Sequence, residues 1–87
     1  MNTLIFCVKD RATDMFGTPM FLMATGQATR SFSDEVNRKE AGNQLNMHPD
    51  DFDLYQLGTF DSESGSFLTH APELVVRGKD LIDRSTP

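Results

Sequence analysis

Blocks of apolar positions alternate with polar stretches along the chain, and the length and spacing of each block predict an element. Leu4-Ile5-Phe6-Cys7-Val8 is short and rich in β-branched and aromatic residues, and the charged Lys9-Asp10-Arg11 stops it. It predicts a strand buried on both faces. Pro19 opens a second run, Met20 to Ala24, which predicts a strand antiparallel to the first. Thr25-Gly26 offers a break and a cap, and from Gln27 the period changes: Ala28, Phe32 and Val36 fall at i, i+4 and i+8. This predicts a helix with one narrow apolar stripe, a solvent-side Arg30–Asp34 pair and an end at Gly42-Asn43.

After the helix the chain is polar, and Met47-His48-Pro49-Asp50-Asp51-Phe52 reads as a tight turn in which Pro49 fixes φ and the Asp side chains are solvated. Asp53 to Phe60 predicts a third strand, with Gly58 marking a bulge or a close backbone approach. Asp61-Ser62-Glu63-Ser64-Gly65 predicts a hairpin loop with Gly65 at positive φ, and Ser66 to His70 the returning strand. Pro72 is expected to end that strand, leaving Glu73 to Gly78 as an extended or helical segment docked on the sheet. The order is β-β-α-β-β with a C-terminal tail. One helix with one stripe must bury it on the sheet, so the expected fold is a two-layer α+β domain with a mainly antiparallel sheet. Residues 1–82 are expected to form one domain, and 83–87 to fray. Met20, Phe21, Met23, Tyr55 and Phe67 then exceed what a single helix covers, which points to an exposed sheet face used for dimerisation or for a ligand.

The chain of 87 residues is too short for two independent cores, and its core will be thin. Its 8 Lys and Arg against 13 Asp and Glu give a net charge of -5, which disfavours binding to nucleic acid or anionic lipid by charge alone. The charge is uneven, however: Lys9, Arg11, Arg30, Arg38 and Lys39 hold five of the eight positive charges. These five are candidate phosphate contacts, and Phe21 and Tyr55 are candidate stacking platforms for single-stranded DNA. Cys7, the one cysteine, has no partner for an internal disulfide, which fits a reducing compartment. No run approaches the roughly 20 apolar residues of a membrane span, and no basic region leads into an apolar leader, so the expected location is the cytoplasm with no membrane partner.

Catalytic and metal chemistry find no support in the spacing. His48, His70 and Cys7 form no CxxC, HxxxH or HExxH set, and the six glycines are scattered without a phosphate-binding loop. Asp50, Asp51 and Asp53 lack the glycine and terminal Glu of a calcium loop. No GxSxG or comparable nucleophile signature occurs. The expectation is a non-enzymatic protein with no catalytic residue, no metal and no cofactor.

Several separate blocks carry a family likeness. Phe6-Cys7-Val8-Lys9-Asp10, Pro19-Met20-Phe21, Thr25 to Asn37, His48-Pro49-Asp50-Asp51-Phe52 and Leu54 to Asp61 together resemble the small nonstructural protein of gokushovirus-type microviruses, which are bacteriophages with single-stranded DNA genomes. The resemblance spans roughly residues 4 to 68. It implies a non-virion protein of the host cytoplasm, grouped with DNA-binding proteins. By role it compares with a phage protein that shifts replication from duplex copies to single-stranded genomes. The partners implied are single-stranded DNA or the phage replication initiation complex, with a homodimer as the expected assembly. A rival reading is an interaction module that binds a viral or host replication protein through the acidic segment Asp50 to Asp53 and the open apolar face.

Overall fold

The computed structural model describes Met1–Asp83. Its strands are β1 (Asn2–Asp10), β2 (Met15–Phe16), β3 (Met20–Leu22), β4 (Phe52–Asp61) and β5 (Ser66–Arg77); its helices are α1 (Thr25–Asn37) and the single turn α2 (Gln44–Met47). Pro49–Asp51 and Gly78–Asp80 form 3₁₀ turns. The expected two-layer α+β fold is present: every strand pair is antiparallel, β1 and β4 are central, β5 is one edge, and β2 and β3 share the other side of β1.

Cross-strand register decides which residues share a face, because directly opposed residues point the same way. Leu4, Phe6 and Val8 of β1 face α1 together with Leu54 of β4, Met20 and Leu22 of β3, and Val76 of β5. Ala28, Phe32 and Val36, the stripe predicted from spacing, close this core from the helix side and are buried. Met20 therefore belongs to the core, where it lies opposite Phe6, and not to the open face.

The ends of α1 differ from the expected ones. The helix starts at Thr25, and the cap is Gln27 reaching back: its Oε1 accepts the Met23 and Ala24 N–H groups at 3.0 and 3.2 Å. It stops at Asn37, before Gly42, because three asparagines take over its last carbonyls. Asn43 Nδ2 donates to the Glu35 and Arg38 carbonyls at 2.9 and 2.8 Å, Asn46 Nδ2 to Val36 at 2.9 Å, and Asn37 Nδ2 to Ser33 at 2.9 Å. The Glu35 and Val36 carbonyls are among the last four of the helix, which have no i+4 partner within it, while Asn37 adds a second donor to the Ser33 carbonyl one turn back. Asn37 also ties the end of the described chain to the helix, donating to the Leu81 carbonyl and accepting the Asp83 N–H at 2.7 Å. Of the tail 83–87 expected to fray, residues 84–87 lie outside the described residues.

The largest departure is in β5. Pro72 does not end this strand, which runs on to Arg77. The proline is accommodated because β5 is an edge, where a missing N–H is tolerated, and because the register slips there: three residues, His70 to Pro72, oppose Leu57 alone. Val75 is a second extra residue, between Val76 opposite Leu54 and Leu74 opposite Tyr55. Gly58 sits where β4 also shifts against β1, with φ 153°, confirming the bulge read from the sequence. Gly65 closes the β4–β5 loop at φ 74°, as expected.

The same loop carries a titration signature. Asp61 accepts the Glu63 N–H at 2.9 Å and lies 3.7 Å from the N-terminal ammonium. The backbone hydrogen bond foremost holds its pKa below the ordinary aspartate value. Its contribution to stability is therefore present above that ordinary value and is lost as pH falls through the depressed one. The carboxyl carbon of Asp61, followed by NMR, is expected to titrate below the ordinary aspartate value; a midpoint at or above that value would contradict the geometry.

Candidate nucleic-acid interface

The face of the sheet turned away from α1 is where the aromatic residues gather. Ile5, Cys7 and Lys9 of β1 point there, opposite Phe21, Tyr55 and Phe16 respectively, and Thr3 lies opposite Phe60, which in turn faces Phe67. Two clusters result. Phe16 and Tyr55 meet edge to face with ring centroids 5.6 Å apart. Phe21, Phe60 and Phe67 form a triangle with centroids 5.8, 6.2 and 4.9 Å apart. Phe16, Phe21 and Phe67 keep 40%, 46% and 60% of their surface exposed. The rings bury Ile5 and Cys7 beneath them, and burial pushes the Cys7 thiol up in pKa.

Why this face lacks a second layer follows from the chain: among the described residues there is one long helix, and the core takes it. Aromatics are well suited to such a surface, since their rings pack on each other while their outer faces stay available.

The basic residues cluster at one end. Lys9 Nζ lies 5.3 Å from the Phe16 ring centroid and 2.9 Å from Asp14 Oδ1, and the Asp14 hydrogen bond foremost holds the ammonium above its ordinary pKa. Asp14 is placed by a turn in which Asp10 Oδ1 accepts the Ala12 N–H at 2.9 Å; Asp14 itself adopts φ 59°, which aspartate tolerates. Arg11 Nη1 lies 3.7 Å from Asp53 Oδ2, and Arg77 is the cross-strand neighbour of Asp53 on the same face. Asp53 is 1% exposed and its Oδ1 has no hydrogen-bond partner, so the solvated acidic segment expected at Asp50 to Asp53 does not exist as one surface. Asp50 is exposed, Asp51 gives its carbonyl to the Arg11 N–H at 2.7 Å, and Asp53 anchors the basic end from below.

Of the seven residues singled out from sequence, the sheet brings Lys9, Arg11, Phe21 and Tyr55 to one face. Arg30, Arg38 and Lys39 are on the other layer, on or just beyond α1. Arg38 is held by Glu35 at 3.0 Å and by Glu40, and the Glu35 hydrogen bond foremost raises its pKa. Arg30 does not pair with Asp34; both border a shallow depression with Gly26, Gln27 and Ser31. Phe16, Phe60 and Arg77 join the open face without having been singled out. Phe16 and Phe60 were legible only through strand register, and Arg77 only through the continuation of β5 past Pro72.

Among the described residues no group of three or more His, Cys, Asp or Glu is placed to hold a metal ion, and no helix is long and apolar enough to cross a membrane. An antiparallel sheet backed by one helix, with aromatic rings on its free face, defines a small two-layer α+β domain. The chain belongs to the Phage ORF5 protein family, whose model matches residues 3–81. It is thus a small nonstructural, non-catalytic phage protein, in agreement with the resemblance read from the sequence. No curated protein and no solved structure shows significant similarity to it.

Proposed function

We propose that residues 1–82 act as a single domain which binds single-stranded DNA on the open face of the sheet, without cofactor, and favours synthesis of single-stranded genomes over duplex copies. In this reading it is a microvirus-type protein of the host cytoplasm, absent from the mature virion, whose protein partners are a second copy of itself and the replication initiation complex. The observation that carries the reading is the two aromatic clusters exposed on one face beside Lys9 and Arg11. Every base presents a π-face, so stacking on rings is tolerant of sequence and compensates for an unfavourable net charge. Duplex DNA offers no free base faces and meets only the net charge of -5.

Phosphates passing the basic end meet Lys9, Arg11 and Arg77, whereas Arg30, Arg38 and Lys39 are reached only by a strand that wraps onto the helix layer. Binding is therefore expected to show a shallow salt dependence, with a slope of log K against log salt near −2, from about three phosphate contacts at roughly −0.7 each. Fluorescence anisotropy with a labelled oligo(dT) and a duplex control tests this. Tyr55→Ala and Phe21→Ala are each expected to weaken single-strand binding by about 1–3 kcal/mol while leaving the circular dichroism unchanged. Equal affinity for duplex, or no change in either variant, would overturn the reading.

A further inference from the structure

We propose that two copies of the chain join through the outer edge of β5 at Ser66–Thr69, antiparallel, so that their sheets become one. The two sides of the sheet are unlike. On the far side of β1 the edge is broken into two short strands, β2 and β3, with Gly17-Thr18-Pro19 between them, and a prolyl nitrogen has no hydrogen to offer. On the β5 side, Ser66 to Thr69 run in unbroken register against Asp61 to Gly58, exposed, with no charge and no proline. Beyond them the His70–Pro72 bulge disrupts the edge again. A short, neutral, regular edge of this kind is a template for strand addition.

Neighbouring side chains on that edge say how it is covered. Phe67 points to the open face and is 60% exposed; Leu68 points to the helix face and is 74% exposed. Leu68 is left uncovered because α1, 13 residues at about 1.5 Å each, is much shorter than β4, 10 residues at about 3.4 Å each. A partner lying on either face would cover one of the two side chains. A strand added at the edge flanks both.

A second copy fits because the segment is neutral, so two identical segments oppose each other without like charges, in a molecule whose net charge of -5 otherwise repels its own kind. The other side of the sheet is blunted, so the pairing closes as a two-fold dimer and does not propagate. An antiparallel joint keeps like faces on the same side. The triangle of Phe21, Phe60 and Phe67 then continues across the two-fold axis into that of the second copy. This consequence for DNA rests on the proposed function; the pairing does not.

Sedimentation velocity of the full chain, from low micromolar to submillimolar concentration, tests the pairing. A monomer–dimer equilibrium is expected, because so short a joint falls below the roughly 1,200 Å² of a standard interface. Leu68→Lys and Leu68→Asp are each expected to weaken dimerisation about tenfold or more. Ser31→Lys, which adds the same charge on the exposed side of α1, is expected to leave it unchanged. A wild type that stays monomeric throughout, that forms higher oligomers, or that dimerises equally well with either Leu68 variant would overturn the proposal. The oligo(dT) titration separates the two readings: DNA binding by a strictly monomeric wild type removes only the dimer, and a dimer indifferent to DNA removes only the DNA reading.

Discussion

Gly58→Ala is expected to destabilise the protein by about 3–5 kcal/mol and to dismantle the outer half of the sheet first. Two independent costs combine at this position. With φ at 153°, the backbone is in a region that L side chains rarely adopt, which accounts for about 1–3 kcal/mol. An added Cβ would also lie 2.1 Å from the Leu68 carbonyl oxygen and 2.8 Å from Thr69 Cα, both backbone atoms of the paired strand, so no side-chain rotation relieves the overlap. β5 must move away from β4, and the ring contact between Phe60 and Phe67 depends on that pairing. Urea unfolding followed by circular dichroism is expected to show the loss. Gly65→Ala is the control: φ is again positive, at 74°, but no atom lies within 4 Å of the added Cβ, so about 1 kcal/mol is expected. Equal losses in the two variants would mean that the close approach at Gly58 carries no cost.

Gly58 also shows what a sequence of this kind discloses. A glycine inside an apolar strand pattern is anomalous on its own, and the anomaly is local, so the bulge was legible. The helix stripe was legible for the same reason, since Ala28, Phe32 and Val36 answer only to the period of one element. The ends of α1 were not, because its caps come from elsewhere: Gln27 folds back on the N-terminus, and Asn43 and Asn46 reach the C-terminal carbonyls from a later turn. Pro72 misled because its effect depends on whether the strand is central or an edge, which is a property of the sheet and not of the residue.

The open face divides along the same line. Tyr55 and Phe21 stand in apolar runs and were visible as aromatics in excess of what one helix covers. That Phe16 meets Tyr55, and Phe60 meets Phe67, depends on which residue lies opposite which, and the bulges shift those pairings by one or two positions. The positive charges misdirected attention for a related reason. Five of them lie early in the sequence, yet β1 and the turn after it place Lys9 and Arg11 on one layer while α1 and the residues after it place Arg30, Arg38 and Lys39 on the other. Asp53, expected as one of three solvated acids, is turned by period two to the face opposite core-facing Leu54, and it is buried there between its cross-strand neighbours Lys9 and Arg77 with Arg11 3.7 Å away.

Phe6→Ala is expected to cost about 3–5 kcal/mol, which in a domain of this size approaches the whole of its stability. Phe6 is fully buried and is among the largest of the fully buried side chains; it packs with Leu54 of the neighbouring strand and with Ala28, Phe32 and Val36 of the helix. Only a single layer of side chains joins the helix to the sheet, so the cavity left by the ring has few neighbours able to collapse into it. The comparison with Tyr55→Ala is what gives this substitution its functional meaning. Phe6 and Tyr55 are on opposite faces of the same two central strands, and only the Phe6 face holds the helix. Thermal melts are expected to show a large drop for Phe6→Ala with DNA binding lost together with the fold, whereas Tyr55→Ala keeps its melting transition and loses affinity alone. If both variants lost stability in parallel, the aromatic face would be a second core, not a binding surface, and its exposure would have to be closed by a partner.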